Sequence, residues 1–303
     1  MKPPTMTRSG ILLVDKAPGM TSHDVVSRTR KLAGTRKVGH AGTLDPMATG
    51  LLVLGLNSST RLLTFVVGLD KEYLGTIRLG ASTDTDDAEG DVTATTDAAH
   101  VQRTVIDDAL GTFVGDIDQV PSSVSAIKIN GRRAYDLHRS GEDVELAARR
   151  ITISELEVLD TRPDGTFVDV DVRVVCSSGT YIRAIARDLG RLLGVGGHLT
   201  ALRRTRIGPF SIAHAIPLSD DLDVEPRMLP PATVAATLYP VRTLEPAETI
   251  DLVHGKRIPA AGFTGHDGPI AAIGPTGVLV GIVEAKGDRL KPIVNFPSDE
   301  ARA

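Results

Sequence analysis

Cysteine occurs once, at Cys176, and tryptophan not at all. One thiol makes no intrachain disulfide and no zinc site built on several thiolates, so stability must come from packing, as in a reducing cytoplasm. No apolar run approaches the ~18 residues needed to span a bilayer, and Ile11 to Val14 is too short for a signal-peptide core. A cytoplasmic protein without membrane segments is therefore expected. Also missing are GxxxxGK[ST], a GxGxxG after a strand, GxSxG and HExxH, and none of the eight histidines pairs with another at metal-ligand spacing. Nucleotide hydrolysis, dinucleotide redox chemistry and zinc catalysis are disfavoured.

The chain has 303 residues, 41% hydrophobic and 24% charged, which suits about two globular domains. Its net charge of −4 hides a strong segregation. Residues 1–80 carry 11 Lys and Arg against 5 Asp and Glu, whereas residues 81–120 carry 1 against 10. A fold that holds the acidic stretch Asp84 to Asp118 away from the rest leaves a basic face. Of the basic residues 25 are Arg and 9 are Lys, a bias that suits phosphate and base-edge contacts and points towards nucleic acid.

Periodicity places the elements. Ile11 to Val14 reads as a strand ended by Pro18-Gly19, and Thr21-Ser22 as the cap of a helix with Val25, Val26, Thr29 and Leu32 on one side and Gly34 at its end. A glycine-rich loop from Val38 to Gly50 feeds a buried strand, Leu51 to Leu56. Tyr73 to Leu79 reads as a strand, Val101 to Phe113 as a helix with Val105, Leu110 and Phe113 inward, and Ser125 to Ile129 as a short strand. The period-two run Phe167 to Val175 is the clearest strand. A helix opens at Thr180 with Ile182, Ile185, Leu189 and Leu192 on one face and Arg183, Arg187 and Arg191 on the other. This irregular interspersion predicts an α+β fold with a mixed or antiparallel central sheet. The proline-marked stretch 217–240 reads as a passage between domains. Beyond it, Ile250 to Val253, Pro269 to Ile273, Val278 to Glu284 and Pro292 to Phe296 predict a small β-barrel.

Three chemically suggestive features have plain structural readings. Asp84 to Asp91 lacks EF-hand spacing and reads as a solvated acidic turn. Cys176 ends a valine-rich strand and reads as a small buried hydrophobe. Asp45-Pro46 has the form of a helix N-cap followed by Pro at N1.

For Asp45 the surrounding residues outweigh that reading. Lys37-Val38-Gly39-His40-Ala41-Gly42-Thr43-Leu44-Asp45-Pro46-Met47-Ala48-Thr49-Gly50-Leu51-Leu52 resembles the signature of the tRNA pseudouridine-55 synthases, bacterial type and stand-alone. Gly10 to Ser22, with Lys16 at the end of the strand, is similar to that family's first strand and turn. Lys71-Glu72-Tyr73 through Thr83-Asp84-Thr85-Asp86-Asp87 resembles its second motif, and Gln119-Val120-Pro121 through Lys128, Arg132 and Tyr135 its RNA-clamping insertion. Cys176 to Arg183 and His198 to Arg204 resemble the last two motifs. The six segments stand in family order over residues 10–210. Ser122-Ser123-Val124 departs from the family's pattern of Pro and a bulky residue in the clamping loop.

The resemblance implies an isomerase that detaches the T-loop uridine 55 base of transfer RNA, turns it and rejoins it through carbon 5, with no cofactor or metal. It implies Asp45 as catalytic aspartate, Arg183 as its partner and Tyr181 near the carbon 5 proton. It also implies Tyr73 as stacking platform, His40 as T-loop wedge, and Leu202, Lys16, Arg203, Arg204, Lys128 and Arg132 as further substrate contacts. Arg183, at about N3 of its helix, and the positive helix end would keep Asp45 ionised against desolvation. Attack on carbon 6 or on the ribose carbon demands the same ionised group. The implied organisation is a flexible N-terminus (1–9), a catalytic domain (10–239, clamping insertion about 122–150) and a PUA-like β-barrel (240–303), as a monomer. A tRNA-folding or RNA-binding module with catalysis secondary, and a guide-RNA-dependent subunit, are the alternatives.

Overall fold

The computed structural model describes residues 8–122, 128–129, 132–133 and 146–296. In chain order the first half runs β1 (Gly10–Lys16), α1 (Ser22–Ala33), β2 (Val38–His40), β3 (Thr49–Leu56), α2 (Leu63–Val67), β4 (Lys71–Leu79), β5 (Ala81–Thr83), β6 (Val92–Thr95), α3 (Arg103–Gly111) and β7 (Gly115–Gln119). The pair β8 (Lys128–Ile129) and β9 (Arg132–Arg133) lies within the expected insertion. Then come β10 (Arg149–Asp164), β11 (Phe167–Cys176), α4 (Ile182–Leu192), β12 (Gly197–Ile207), β13 (Phe210–Ser211), β14 (Ile216–Pro217) and α5 (Pro231–Leu238). The remainder is β15 (Val241–Thr243), α6 (Pro246–Val253), β16 (Ile258–Pro259), β17 (Pro269–Ile273), β18 (Leu279–Lys286) and β19 (Arg289–Asn295).

One sheet of ten strands organises the larger part, in the order β14-β1-β3-β12-β4-β11-β10-β7 with β2 on β3 and β13 on β12. Most pairs are antiparallel, while β12–β3 and β1–β14 are parallel, so the sheet is mixed. In β11 the alternation is literal: Val168, Val170, Val172 and Val174 are buried and Asp169, Asp171 and Arg173 lie on the wetter face. Each buried valine contributes about 1.5–3 kcal/mol of transfer free energy. The helices α3 and α4 cover that apolar face through Ile106, Leu110, Ile182, Ile185 and Leu189.

The capping signals hold at α1: Thr21 and Asp24 form a reciprocal capping box, and Gly34 closes the helix at φ 62°. Elsewhere the periodic reading needs correction. The helix expected over Val101 to Phe113 is shorter, and Val105 faces solvent while Ile106 fills the inward position. The Ile250 to Val253 run is helical, not a strand, because Glu245 and Glu248 cap α6 reciprocally and Pro246 stands in its first turn.

The proline-marked stretch packs against the first sheet. Ile11 and Leu229 exchange backbone hydrogen bonds of 3.0 and 2.7 Å, and Val234 and Ala235 of α5 share a core with Ile11, Leu13, Leu51 and Val53. Ala271, Leu279, Ile282 and Phe296 join the same core, which seats the second sheet on the first. That second sheet is a curled half-barrel of five strands, ordered β15-β17-β18-β19-β16. Residues 1–7 of the expected N-terminal segment lie outside the described residues. Arg8 and Ser9 are tied to the turn at Asn57 and Ser58.

The topology puts the start of β3, the start of β4 and the ends of β11 and β12 at one edge of the large sheet. The loops before β3 and after β11, with side chains of β4 and β12, line a cleft there.

Candidate active site

The segment from Gly42 to Pro46 forms one wall of the cleft and is not a helix. Its carbonyls are each taken by something else. Arg204 donates to Leu51 at 2.8 Å, Gly42 at 3.1 Å and Thr43 at 3.4 Å. Ser22 Oγ donates to the Leu44 carbonyl, the Ala48 N–H to that of Asp45, and the Gly19 N–H and Lys16 Nζ to that of Pro46. Asp45 therefore caps no helix.

Asp45 Oδ2 accepts from Arg183 Nε at 3.1 Å. The arginine is only 5% exposed, whereas 37% of the Asp45 side chain still faces the cleft. Arg183 is also shared: its Nη1 reaches Asp87 Oδ2 at 3.1 Å and the Thr85 carbonyl at 2.9 Å. Desolvation by the cleft walls pushes the Asp45 carboxyl above its ordinary pKa, and Asp87 adds to that push, while Arg183 opposes it most strongly and Lys16 less. One guanidinium divided between two carboxylates does not fully offset the burial.

Asp86 and Asp87 overturn the reading of Asp84 to Asp91 as a solvated acidic turn. Both are buried, Asp87 on Arg183 and Asp86 on Arg187 at 3.2 Å. The acid is thus drawn into the site, not held away from it. Arg183 likewise leaves the outer face expected for it and is buried at N2, because Tyr181 is the N-cap. Arg187 faces the root of the insertion, donating to the Val120 carbonyl at 2.8 Å.

Tyr73 and Leu202 line the cleft with Asp45, Tyr181 and Arg183. Tyr73 sits on the buried face of β4, where burial raises its phenol pKa. Tyr181 is held at its main chain by Gln119, which donates Nε2 to its carbonyl at 3.1 Å and accepts its N–H at 2.8 Å. His40 lies on β2 with its ring edge-on to His23 at 6.0 Å, and burial and then His23 lower its pKa.

Three expected contacts are placed otherwise. Lys16 is 1% exposed and spends its ammonium on the carbonyls of Ala17, Met20 and Pro46, a brace beneath the loop. Arg204, also 1% exposed, is committed to main-chain carbonyls and is not a surface phosphate contact. Arg203 forms a two-pronged pair with Asp15 at 3.0 and 2.7 Å, and Arg206 pairs with Asp70. The side chains of Lys128 and Arg132, and Ser123-Val124, lie outside the described residues. Ser22, Lys71, Asp87 and Gln119 were not singled out by the sequence reading. Ser22 was visible only as part of a cap, and the others only inside matched segments.

Residues 30–182 match the model of the TruB family pseudouridylate synthase N-terminal domain. The chain belongs to that family. Residues 183–249 match the tRNA pseudouridylate synthase B C-terminal domain and residues 239–297 the C-terminal part of tRNA pseudouridine synthase II. A curated tRNA pseudouridine synthase B from Leifsonia xyli subsp. xyli is 54% identical over 299 residues, covering 97% of this chain and 99% of the relative. One from Thermobifida fusca is 50% identical over 291 residues, covering 95% and 98%. Among solved structures, a Cbf5-Nop10-Gar1 complex aligns with TM-score 0.70 at 26% identity over 96% of this chain and 86% of that one. That solved chain is thus similar in fold over nearly the whole length of this one. No helix among the described residues is long and apolar enough to cross a membrane.

Proposed function

We propose that this chain is a stand-alone isomerase that converts uridine 55 in the T-loop of transfer RNA to pseudouridine, working in the cytoplasm as a monomer and without a cofactor. The observation that carries the reading is the Asp45 carboxylate, paired with a buried Arg183 at 3.1 Å in a cleft of about 240 Å³ walled by Tyr73, Tyr181 and Leu202. Residues 10–239 would form the catalytic unit and 240–303 a PUA-like module.

The target base is stacked inside a folded loop, so it must be flipped out to reach Asp45. Tyr73 offers the face on which the base stacks, and Leu202 closes the other side. His40, on the strand that leads into the cleft wall, is the wedge that fills the place the base leaves. The ionised Asp45 acts on the flipped nucleotide, held in register by Arg183. The N1–C1′ bond breaks, the ring turns, and carbon 5 bonds to C1′. Carbon 5 loses its proton beside Tyr181 and N1 gains one, so substrate and product have the same atoms. Lys128 and Arg132 are the phosphate contacts of the clamping insertion. The names carried by relatives at 50–54% identity favour an enzyme acting alone over a guide-RNA-dependent subunit.

The test is tritium release from a T-arm hairpin labelled at carbon 5 of its uridines, with purified wild type and Asp45→Asn side by side. Release at one position by wild type and none by the variant is expected. No release by wild type from a hairpin that it binds would overturn the reading.

A further inference from the structure

Two buried cations in the cleft have no part in the chemistry so far described. Lys71 and Tyr73 are two apart on β4 and share its buried face, and Arg204 on β12 is registered directly against Tyr73. All three line the cleft. Lys71 is 5% exposed, and its Nζ donates to the carbonyls of Val67 at 2.6 Å and Leu69 at 2.5 Å. An ammonium has three N–H groups, and the third has no acceptor among the described residues. Val67 itself lines the cleft, so the ammonium lies one carbonyl from the space a base would fill.

Neither cation has a carboxylate partner among the described residues. The acids that act on Lys71 are the Cys176 thiol and, after it, Asp70, and burial keeps the thiol protonated while Asp70 is engaged by Arg206 at 2.9 Å. Arg204 spends its donors on carbonyls and on the Tyr73 hydroxyl, all uncharged. Burying a cation without a counter-charge is costly, so a structure that keeps two beside the base platform calls for an anion that arrives there. The cleft's own acid does not serve, because Asp45 and Asp87 are both on Arg183.

We propose that Lys71 and Arg204 form a cationic floor that binds the detached uracil as its anion. The inference rests on the isomerase reading above. When the N1–C1′ bond breaks, its electron pair leaves with the base, and the negative charge spreads over N1, O2 and O4 of the ring. The free Lys71 N–H donates to one of those oxygens. The charge is neutralised when carbon 5 bonds to C1′, carbon 5 loses its proton and N1 takes one up. Neutral uridine draws little on the floor and the detached base draws fully, which is the difference that lowers a barrier. Burial lowers the Lys71 pKa to about 8, so the ammonium is mainly protonated at neutral pH.

The probes are free bases: uracil, and 5-nitrouracil, which is an anion at neutral pH. Binding to wild type is measured by calorimetry, and turnover on the T-arm hairpin is measured for wild type, Lys71→Met and Lys71→Arg. Wild type is expected to bind 5-nitrouracil at least about tenfold more tightly than uracil. Lys71→Met is expected to lose that preference and about 100-fold in kcat. Its hairpin affinity and salt dependence of binding should be unchanged, and Lys71→Arg should recover part of kcat. Equal binding of the two bases by wild type overturns the proposal even where Lys71→Met fails to fold. So does a wild-type kcat in Lys71→Met, or a salt dependence weakened by about one ion, the mark of a phosphate contact. Wild type that prefers the anionic base but makes no pseudouridine would sink the isomerase reading, and this inference with it.

Discussion

Ser22 holds Leu44 at both of its backbone groups: its Oγ accepts the Leu44 N–H at 2.8 Å and donates to the Leu44 carbonyl at 3.2 Å. Leu44 precedes Asp45, and Ser22 is the first residue of a helix whose Thr21–Asp24 capping box fixes its own start. With Lys16 and Gly19 on the Pro46 carbonyl, Asp45 is suspended between two pinned neighbours. Ser22→Ala strands two buried backbone groups at about 1–3 kcal/mol each and lets the carboxylate drift. A kcat about tenfold lower with KM nearly unchanged is expected, since small misplacement costs rate more than binding. Steady-state kinetics on the hairpin check it; a rise in KM alone would place Ser22 in RNA binding instead.

Asp45→Asn is expected to abolish turnover while hairpin affinity stays within about threefold, because phosphate contacts dominate binding. Its melting temperature should be unchanged or higher. The sign follows from the raised pKa: an ionised carboxylate that the fold disfavours costs stability at neutral pH, and the amide removes that cost. A clear fall in melting temperature would show that Asp45 stabilises the fold.

The pH dependence of kcat should have its acid limb above the ordinary carboxylate value of 3.8. The active form is ionised, so activity is lost as pH falls through the raised pKa. Protonating Asp45 favours the folded state, so its contribution to stability runs the opposite way. Asp87→Asn removes the like charge that adds to the shift, and should move the limb to lower pH. It also takes one carboxylate from Arg183, so kcat at neutral pH should drop about tenfold or more. A limb that stays in place would mean that desolvation alone sets the shift.

The folding pattern was legible where it is local. The cap at Thr21, the valine alternation of β11 and the left-handed stop at Gly34 depend on neighbours in sequence, and each is where the pattern puts it. Asp45 was legible by resemblance, against a local rule that made it an N-cap. That rule lost because no helix follows: the Asp45 carbonyl closes a turn with the Ala48 N–H, Gly19 and Lys16 take the Pro46 carbonyl, and the chain enters β3 at Thr49. Asp86 and Asp87 looked like solvated charge because their partners, Arg187 and Arg183, are about a hundred residues away. The signal at α6 was present, in the spacing of Glu245, Pro246 and Glu248, but a short apolar run at Ile250 reads equally as a strand.

Cys176 should resist alkylation in the native protein. It is 1% exposed at the end of β11, and burial pushes its thiol up to about 11, so almost no thiolate is present at neutral pH. Iodoacetamide at pH 8 should label it only after denaturant is added. Rapid labelling of the folded chain would show that the edge of β11 opens.

Two glycines separate backbone strain from close packing. Gly165 turns the β10–β11 hairpin at φ +63°, and a Cβ there meets nothing within 4 Å. Gly50 has φ +101°, and a Cβ there would collide with the Arg204 carbonyl oxygen and lie 2.8 Å from its amide nitrogen. Gly165→Ala should cost only the strain of a left-handed residue, about 1–2 kcal/mol. Gly50→Ala must also part β3 from β12 where they run parallel, at the residue whose guanidinium braces the Asp45 loop. Denaturant titration should therefore find Gly50→Ala several-fold more destabilised than Gly165→Ala, with turnover lost even in the folded fraction. Equal losses would mean that the β3–β12 contact relaxes freely, and that Arg204 does not transmit its position to the loop.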